Sequence, residues 1–278
     1  MKNRFLFLCL FLFANLTNNI FANEFTFDAE EINILNNGNI INGSNGTART
    51  IDNSLEIKAD QLIYNKSLFT LDAIGNVLVK DFDNGLEIKA DKLKYDKNLS
   101  TLDAMGNVLV RDSANEFFLK SQKIFYDIKN QQISSKSKSR FEDILGNLIL
   151  SKDFIFKKNE DLIKFNNVEV IDLQKNSLVL DRAFMNVASK KLIGKDVVIE
   201  FKDQSFEKNN EPRLKGNSIS IDQDKTIIKN GVFTSCKRND DCPPWQLSAK
   251  EIKHDKKKNN KLQECVVENL RYSCILFS

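Results

Sequence analysis

Two stretches decide the fold: LEIKADQLIYNKSLFTLDAIGNVLVKD from Leu55 to Asp81, and LEIKADKLKYDKNLSTLDAMGNVLVRD from Leu86 to Asp112. They are offset by 31 residues and agree at 20 of 27 positions. Six of the seven changes keep the kind of residue or fall at polar turn positions; the seventh, Ile63 against Lys94, exchanges an apolar side chain for a charged one. Within each copy the period is two: Leu55, Ile57 and Ala59 alternate with Glu56, Lys58 and Asp60, the pattern of a strand with one buried face. The phase shifts at Asp60-Gln61, where a bulge fits, and Leu62 and Tyr64 continue the apolar side. Asn65-Lys66 reads as a turn, Leu71 and Ala73 lie on the return strand, Gly75-Asn76 interrupts the chain before Val77 and Val79, and Asp83-Asn84-Gly85 is a hairpin signal. About three short strands are predicted per unit. A unit of this size cannot bury its apolar face alone, so copies must stack on one another.

Outward from this pair the same unit recurs in worn form. Phe117, Leu119, Ile124, Tyr126 and Asp127 fall 31 residues after Leu86, Ile88, Leu93, Tyr95 and Asp96, but the second half of that copy, ISSKSKSRFED, has lost its Gly-Asn pair. Alternating strands are predicted at Leu148–Phe156 and through IKFNNVEVIDL, LVLDRAFMNVA, KLIGKDVVIEFK and ISIDQDKTIIKNGVFTSC, with a polar loop over 203–217. Before the pair, EFTFDAEEINI (24–34) alternates as a strand, and NGSNGTARTIDNS (42–54) reads as a loop. Helical periodicity is absent. The fold class is all-β: stacked short antiparallel strands around an apolar interior.

The 278 residues contain three prolines, so no Pro-rich linker divides the chain, and the net charge of +3 includes Lys2 and Arg4. Residues 1–22 have the form of a secretory signal: a basic start, then the short apolar run Phe5–Ala14, with cleavage expected after Ala22. Without it the chain is close to neutral, which gives no support to nucleic-acid binding. Export to a periplasm follows. Four cysteines then remain, Cys236, Cys242, Cys265 and Cys274, and an oxidising compartment permits disulfides among them, with Cys236 and Cys242 the candidate pair. Their spacings do not suit zinc, and His254 is the only histidine, so no metal site is expected. The acidic residues recur at outward strand positions, and no Gly-rich phosphate loop or nucleophile elbow is present. The reading is a binding or structural protein, not an enzyme, with no cofactor. Rival architectures are a β-solenoid adhesion module and a carbohydrate-active β-helix; the decay of the repeat after Asp112 disfavours the first.

The pattern carried by Ile88-Lys89-Ala90-Asp91-Lys92-Leu93-Lys94-Tyr95-Asp96 and Ala104-Met105-Gly106-Asn107-Val108 resembles the periplasmic β-jellyroll of lipopolysaccharide-transport proteins of the LptA/OstA group. A second match narrows it. Gly231-Val232-Phe233-Thr234-Ser235-Cys236, followed by Pro243-Pro244-Trp245-Gln246-Leu247-Ser248-Ala249-Lys250-Glu251-Ile252-Lys253-His254-Asp255, is similar to the segment of the LptD family of outer-membrane LPS-assembly proteins that leaves the jellyroll toward the barrel. The domains implied are a signal peptide (1–22), an LptA/OstA-like jellyroll (23–235), a jellyroll-to-barrel connection (236–261) and a divergent or frameshifted tail (262–278). That family's barrel does not follow here. Cys236 matches a family position that pairs with the barrel. The tail LQECVVENLRYSCILFS departs from the pattern; a +1 frame can read YKNAWLKILDIPVYYF, so a slip near Lys256–Lys261 is expected, and Cys265 and Cys274 would then be accidents of frame.

The resemblance implies a lipid conduit in lipopolysaccharide transport, in the periplasm and associated with the outer membrane. Lipid A acyl chains would lie in an apolar groove lined in the first copy by Leu55, Ile57, Ala59, Val77 and Val79. In the second copy the lining is Leu86, Ile88, Ala90, Val108 and Val110. Read from the residues alone, the same side chains are better explained as a closed core, and it is the resemblance that raises the groove. Partners implied are lipopolysaccharide, a second LptA-like jellyroll joined by edge-strand addition at Phe25 and Phe27, and a separate outer-membrane barrel.

Overall fold

The computed structural model describes residues 25–113, 117–142, 147–202, 210–237, 245–255 and 265–266. The signal segment, Cys242 and all of the tail but Cys265–Val266 lie outside them. Long strands follow one another: β1 (Phe25–Leu35), β2 (Ile40–Thr50), β3 (Leu55–Asn65), β4 (Thr70–Asp81), β5 (Leu86–Asp96), β6 (Thr101–Asp112) and β7 (Phe117–Asp127). Two short strands come next, β8 (Gln132–Ser135) and β9 (Ser139–Glu142), then β10 (Leu148–Lys157), β11 (Leu162–Ile171), β12 (Ser177–Asn186) and β13 (Lys191–Glu200). The chain ends in β14 (Arg213–Ile221), β15 (Lys225–Thr234), β16 (Leu247–Asp255) and β17 (Cys265–Val266). One 3₁₀ turn, Lys158–Glu160, is the only helical element among the described residues.

Every pairing among the described residues is antiparallel, and each strand bonds to the next in chain order except at β8 and β9, which do not pair with each other and together fill one place between β7 and β10. The all-β, stacked antiparallel jellyroll expected from the sequence is what forms. The strand count per repeat differs. Each 31-residue unit holds two strands of 11 and 12 residues, not three short ones. Gly75-Asn76 does not separate strands; it bends one. Gly75 (φ +78) and Asn76 (φ +46) are both left-handed, as are Gly106 and Asn107, and the β4–β5 and β6–β7 registers shift across them. A two-residue left-handed step inserted into one strand bends it sharply and strengthens its twist. The register of β3 also shifts between Lys58 and Gln61, across the change of phase at Asp60-Gln61.

The same device recurs along the chain. Asn45, Asn76, Asn107, Asn167, Asp196 and Asn230 all have positive φ, at the middle of β2, β4, β6, β11, β13 and β15. Asn and Asp tolerate this region better than other side chains. Three of the amides are anchored to the neighbouring strand: Asn76 Nδ2 donates to Asp60 Oδ2 at 2.9 Å, Asn107 Nδ2 to Asp91 Oδ2 at 2.9 Å, and Asn45 Nδ2 to Glu30 Oε2 at 2.9 Å. In the third copy no left-handed residue stands at this place and the strand breaks. Ser137 and Lys138 stand 31 residues after Gly106 and Asn107, neither has positive φ, and the chain there divides into β8 and β9.

Bent strands give the sheet two arms facing one another over a single interior. One apolar cluster runs through it from Phe25 in β1 to Ile228 in β15. Next to the bends the lining is small, where the arms converge: Ala59, Ala73, Ala90 and Ala104 are buried. In the third copy the equivalents of Ala90 and Ala104 are Ser121 and Ser135, whose hydroxyls bond to each other at 3.2 Å. Further along, Phe141 packs edge-on against Phe154 and Phe165 at 4.8 and 5.0 Å.

Candidate functional site

All ten side chains expected to line the interior point into it. Leu55, Ile57, Ala59, Val77 and Val79 are between 0% and 4% exposed, and Leu86, Ile88, Ala90, Val108 and Val110 between 0% and 7%. The inward period of two fixes them, and the bend resets the phase so that both halves of a strand contribute. In this state they form a packed core with the two arms in contact. The concavities flanking the β8–β9 break are open and partly polar. One, of ≈ 640 Å³, is lined by Lys120, Ser121, Lys138 and Ser139, and the other, of ≈ 770 Å³, by Lys123, Ser135, Lys136 and Asp153.

Phe25 and Phe27, expected at a docking edge, turn inward. Phe25 is 3% exposed and packs edge-on against Tyr64 (5.3 Å) and Tyr95 (5.7 Å). Their rings close one end of the core. Any partner at this end would meet the backbone of β1, whose only strand neighbour among the described residues is β2. Toward the end of β1, Ile32, Ile34 and Leu35 are exposed. Cys236 is a buried thiol with its Sγ 3.9 Å from the Trp245 carbonyl oxygen. The segment after it places β16 against β15, so Leu247–Asp255 extends the same sheet.

Sequence reading missed how the two arms meet at their tips. The turns β2–β3 and β4–β5 and the end of β6 lie along one lip, and β3–β4, β5–β6, β7–β8 and β10–β11 along the other. The lips are joined by side chains. Tyr126 Oη, near the end of β7, donates to Asp81 Oδ2, at the end of β4, at 2.6 Å. Lys158 Nζ, in the β10–β11 turn, lies 2.8 Å from Asp112 Oδ2, at the end of β6. Each contact spans three strand positions, a stagger of about 14 Å at ordinary strand spacing. The Phe25–Tyr64–Tyr95 cluster crosses the same seam nearer the N-terminus. No backbone bond among the described residues joins the lips.

The acids in these contacts are buried. Asp81 and Asp112 are 3% and 0% exposed. Asp81 is also held by the Asn84 backbone N–H (2.9 Å) and side-chain amide (2.8 Å). Burial, reinforced by the hydrogen bond to Asp81, pushes the Tyr126 phenol far above its ordinary range. Burial pushes Tyr95 up to about 12, helped by the nearby charge of Asp52 in the β2–β3 turn, and burial raises Tyr64. The signal was present in the sequence: Asp81 and Asp112 continue the inward phase of Val77-Val79 and Val108-Val110 at the same place in both copies, and an acid on the buried phase demands a partner. Among the described residues no group of three or more His, Cys, Asp or Glu could hold a metal ion.

The fold and its interior define an all-β protein built as a staggered meander around one apolar core. Among solved structures the chain is similar to LptH of Pseudomonas aeruginosa, the LptA-homologous periplasmic component of a lipopolysaccharide transport device, with 9% identity over 51% of this chain and 81% of that one and a TM-score of 0.23. No protein-family model and no curated protein matches the sequence.

Proposed function

We propose that this chain is a periplasmic lipid-bridging module of lipopolysaccharide transport, associated with the outer membrane, that shelters acyl chains between its two arms. The observation that carries the reading is the single apolar interior running from β1 to β15, enclosed by arms that no backbone hydrogen bond among the described residues ties together at their tips. Burying a methylene is worth about 0.8 kcal/mol, so a chain of about a dozen carbons gains on the order of 10 kcal/mol, with contacts that let it slide. Two such modules join by strand addition at the edge of β1 that no strand pairs among the described residues, with Phe25 and Phe27 closing the interior at the junction. Within this class the sequence from Gly231 to Asp255 favours the periplasmic domain of an LptD-type assembly protein, acting with a barrel, over a stand-alone LptA-like bridge.

Photo-crosslinking residues at Ile57 and Ile88, with Lys58 and Lys89 as outward controls, test the reading directly. Adducts with lipopolysaccharide are expected at the inward positions and not at the outward ones. No adduct at any inward position means that the interior is a closed core and the proposal is wrong.

A further inference from the structure

We infer that the Asp81–Tyr126 and Asp112–Lys158 contacts are latches that hold a lateral opening shut, so that entry to the interior occurs along the seam by parting the two lips. This rests on the lipid-sheltering reading above and adds how access is controlled. Three observations support it. The lips carry no backbone ladder between them among the described residues, so side chains hold them together. The Asp81–Tyr126 contact is buried and the Asp112–Lys158 contact part-buried, and both use the repeat-equivalent acid at the end of an even strand, joined to a residue at the far end of the strand three places on or in the turn after it. The interior behind them is mostly apolar, and a buried polar pair commonly stabilises a core no more than apolar residues of like size would. What a buried hydrogen-bonded pair supplies instead is one register and a contact that breaks as a unit.

The seam also has the character of an entrance. Ile51 and Phe82 stand exposed on the turns of one lip, and Leu68 and Leu99 on the turns of the other, each with exposures between 57% and 67%. Leu68 and Leu99 are repeat equivalents, and their turns touch through Asn98 Nδ2 and the Leu68 carbonyl at 3.4 Å. An amphiphile approaching the seam meets apolar turn residues outside, the latches next, and the core behind them.

The test measures the latch apart from the ligand. Val110→Cys places a reporter thiol two residues before Asp112 on the same inward face. Ala183→Cys places a control thiol in β12, buried away from both contacts. Alkylation is followed peptide by peptide by mass spectrometry, so the native cysteines do not interfere. Tyr126→Phe removes one hydroxyl. The pair Asp112→Asn with Lys158→Met removes the other contact without stranding a charge. Labelling of the reporter thiol is expected to rise about tenfold or more in these backgrounds, equivalent to about 1.4 kcal/mol of easier opening, while the control thiol keeps its rate. Equal acceleration at both sites, or at neither, overturns the latch. Tyr126→Phe keeps the ring and its packing, so it remains informative if the double variant fails to fold. Dodecanoic acid is then added: protection of the reporter thiol in the opened variants accords with an acyl site behind the seam. Faster labelling without protection leaves the latch standing and refutes the lipid-sheltering function.

Discussion

Replacing Gly75 by alanine perturbs the bend on which the architecture depends. At φ +78 an alanine costs about 1.5 kcal/mol relative to glycine. Its Cβ would press on the Asp60 carboxylate, lying 3.0 Å from Cγ and closer still to Oδ2. Asp60 must therefore swing away and release the Asn76 amide it accepts from at 2.9 Å, a loss of about 1 kcal/mol. Alanine also reduces the freedom of the unfolded chain, which offsets about 0.7 kcal/mol. The net expectation is about 2 kcal/mol of destabilisation, read as a lowered urea midpoint at unchanged slope. Asp60→Ala alone should cost about 1 kcal/mol, and the double variant should be no worse than Gly75→Ala, falling short of additivity by about 1 kcal/mol because the same hydrogen bond cannot be lost twice. The second repeat supplies an internal replicate: Gly106 has φ +77 and its added Cβ would lie 2.9 Å from both Cβ and Cγ of Asp91. A neutral Gly75→Ala, or additive costs in the double variant, would refute the claim that the Gly-Asn step is a strained bend held by the facing acid.

Two further expectations follow from the third copy and from the tyrosines. Ser137→Gly with Lys138→Asn restores the bend pair in the register where Gly106-Asn107 sits, and should join β8 to β9 and stabilise the protein by about 1 kcal/mol; an unchanged urea midpoint would count against the missing pair as the cause of the break. Tyr64, Tyr95 and Tyr126 all have phenols raised by burial, so their folded forms hold protons that the unfolded chain releases near pH 10. The stability this gives is complete below about pH 10 and falls above it, by about 1.4 kcal/mol per pH unit for Tyr126. Absorbance of these phenols should therefore rise together with unfolding, and titration of all three near pH 10 with circular dichroism intact would contradict their burial.

The repeat made the inward face legible residue by residue, because a period of two needs only local alternation and the change of phase at Asp60-Gln61 was visible as two polar residues in succession. The role of Gly75-Asn76 was not, because a left-handed pair serves equally as a hairpin turn or as a bend within a strand. What decides between them is whether the following residues pair with the preceding or the following strand, and that is not local information. Residues 42–54, rich in Gly and Asn, read as a loop for the same reason. Much of that stretch is β2, bent at Asn45, with Gly46 required because an added Cβ would lie 2.8 Å from the Asp28 carbonyl oxygen. The seam was hidden for a different cause. Its three-strand stagger accumulates from twist and bend over the whole sheet, so no local spacing between Asp81 and Tyr126 announces that they meet. Alternation shows that Phe25 and Phe27 share a face, not that the face is the interior, where the structure places them.

The sequential meander makes this molecule a ruler whose graduations are repeats. A 31-residue unit contributes two strands and so lengthens the body by about 9.6 Å, one strand down and one back, leaving every later strand pointing as it did before. A duplication such as the one joining Leu55–Asp81 to Leu86–Asp112 therefore keeps lips on their own sides and changes length without changing cross-section. Half a unit would not: one extra strand would exchange the lips for everything that follows and set acid-bearing tips where tyrosines belong. Growth in whole repeats is thus the mutational step this architecture tolerates, and the close identity of the two copies is what such a step leaves behind.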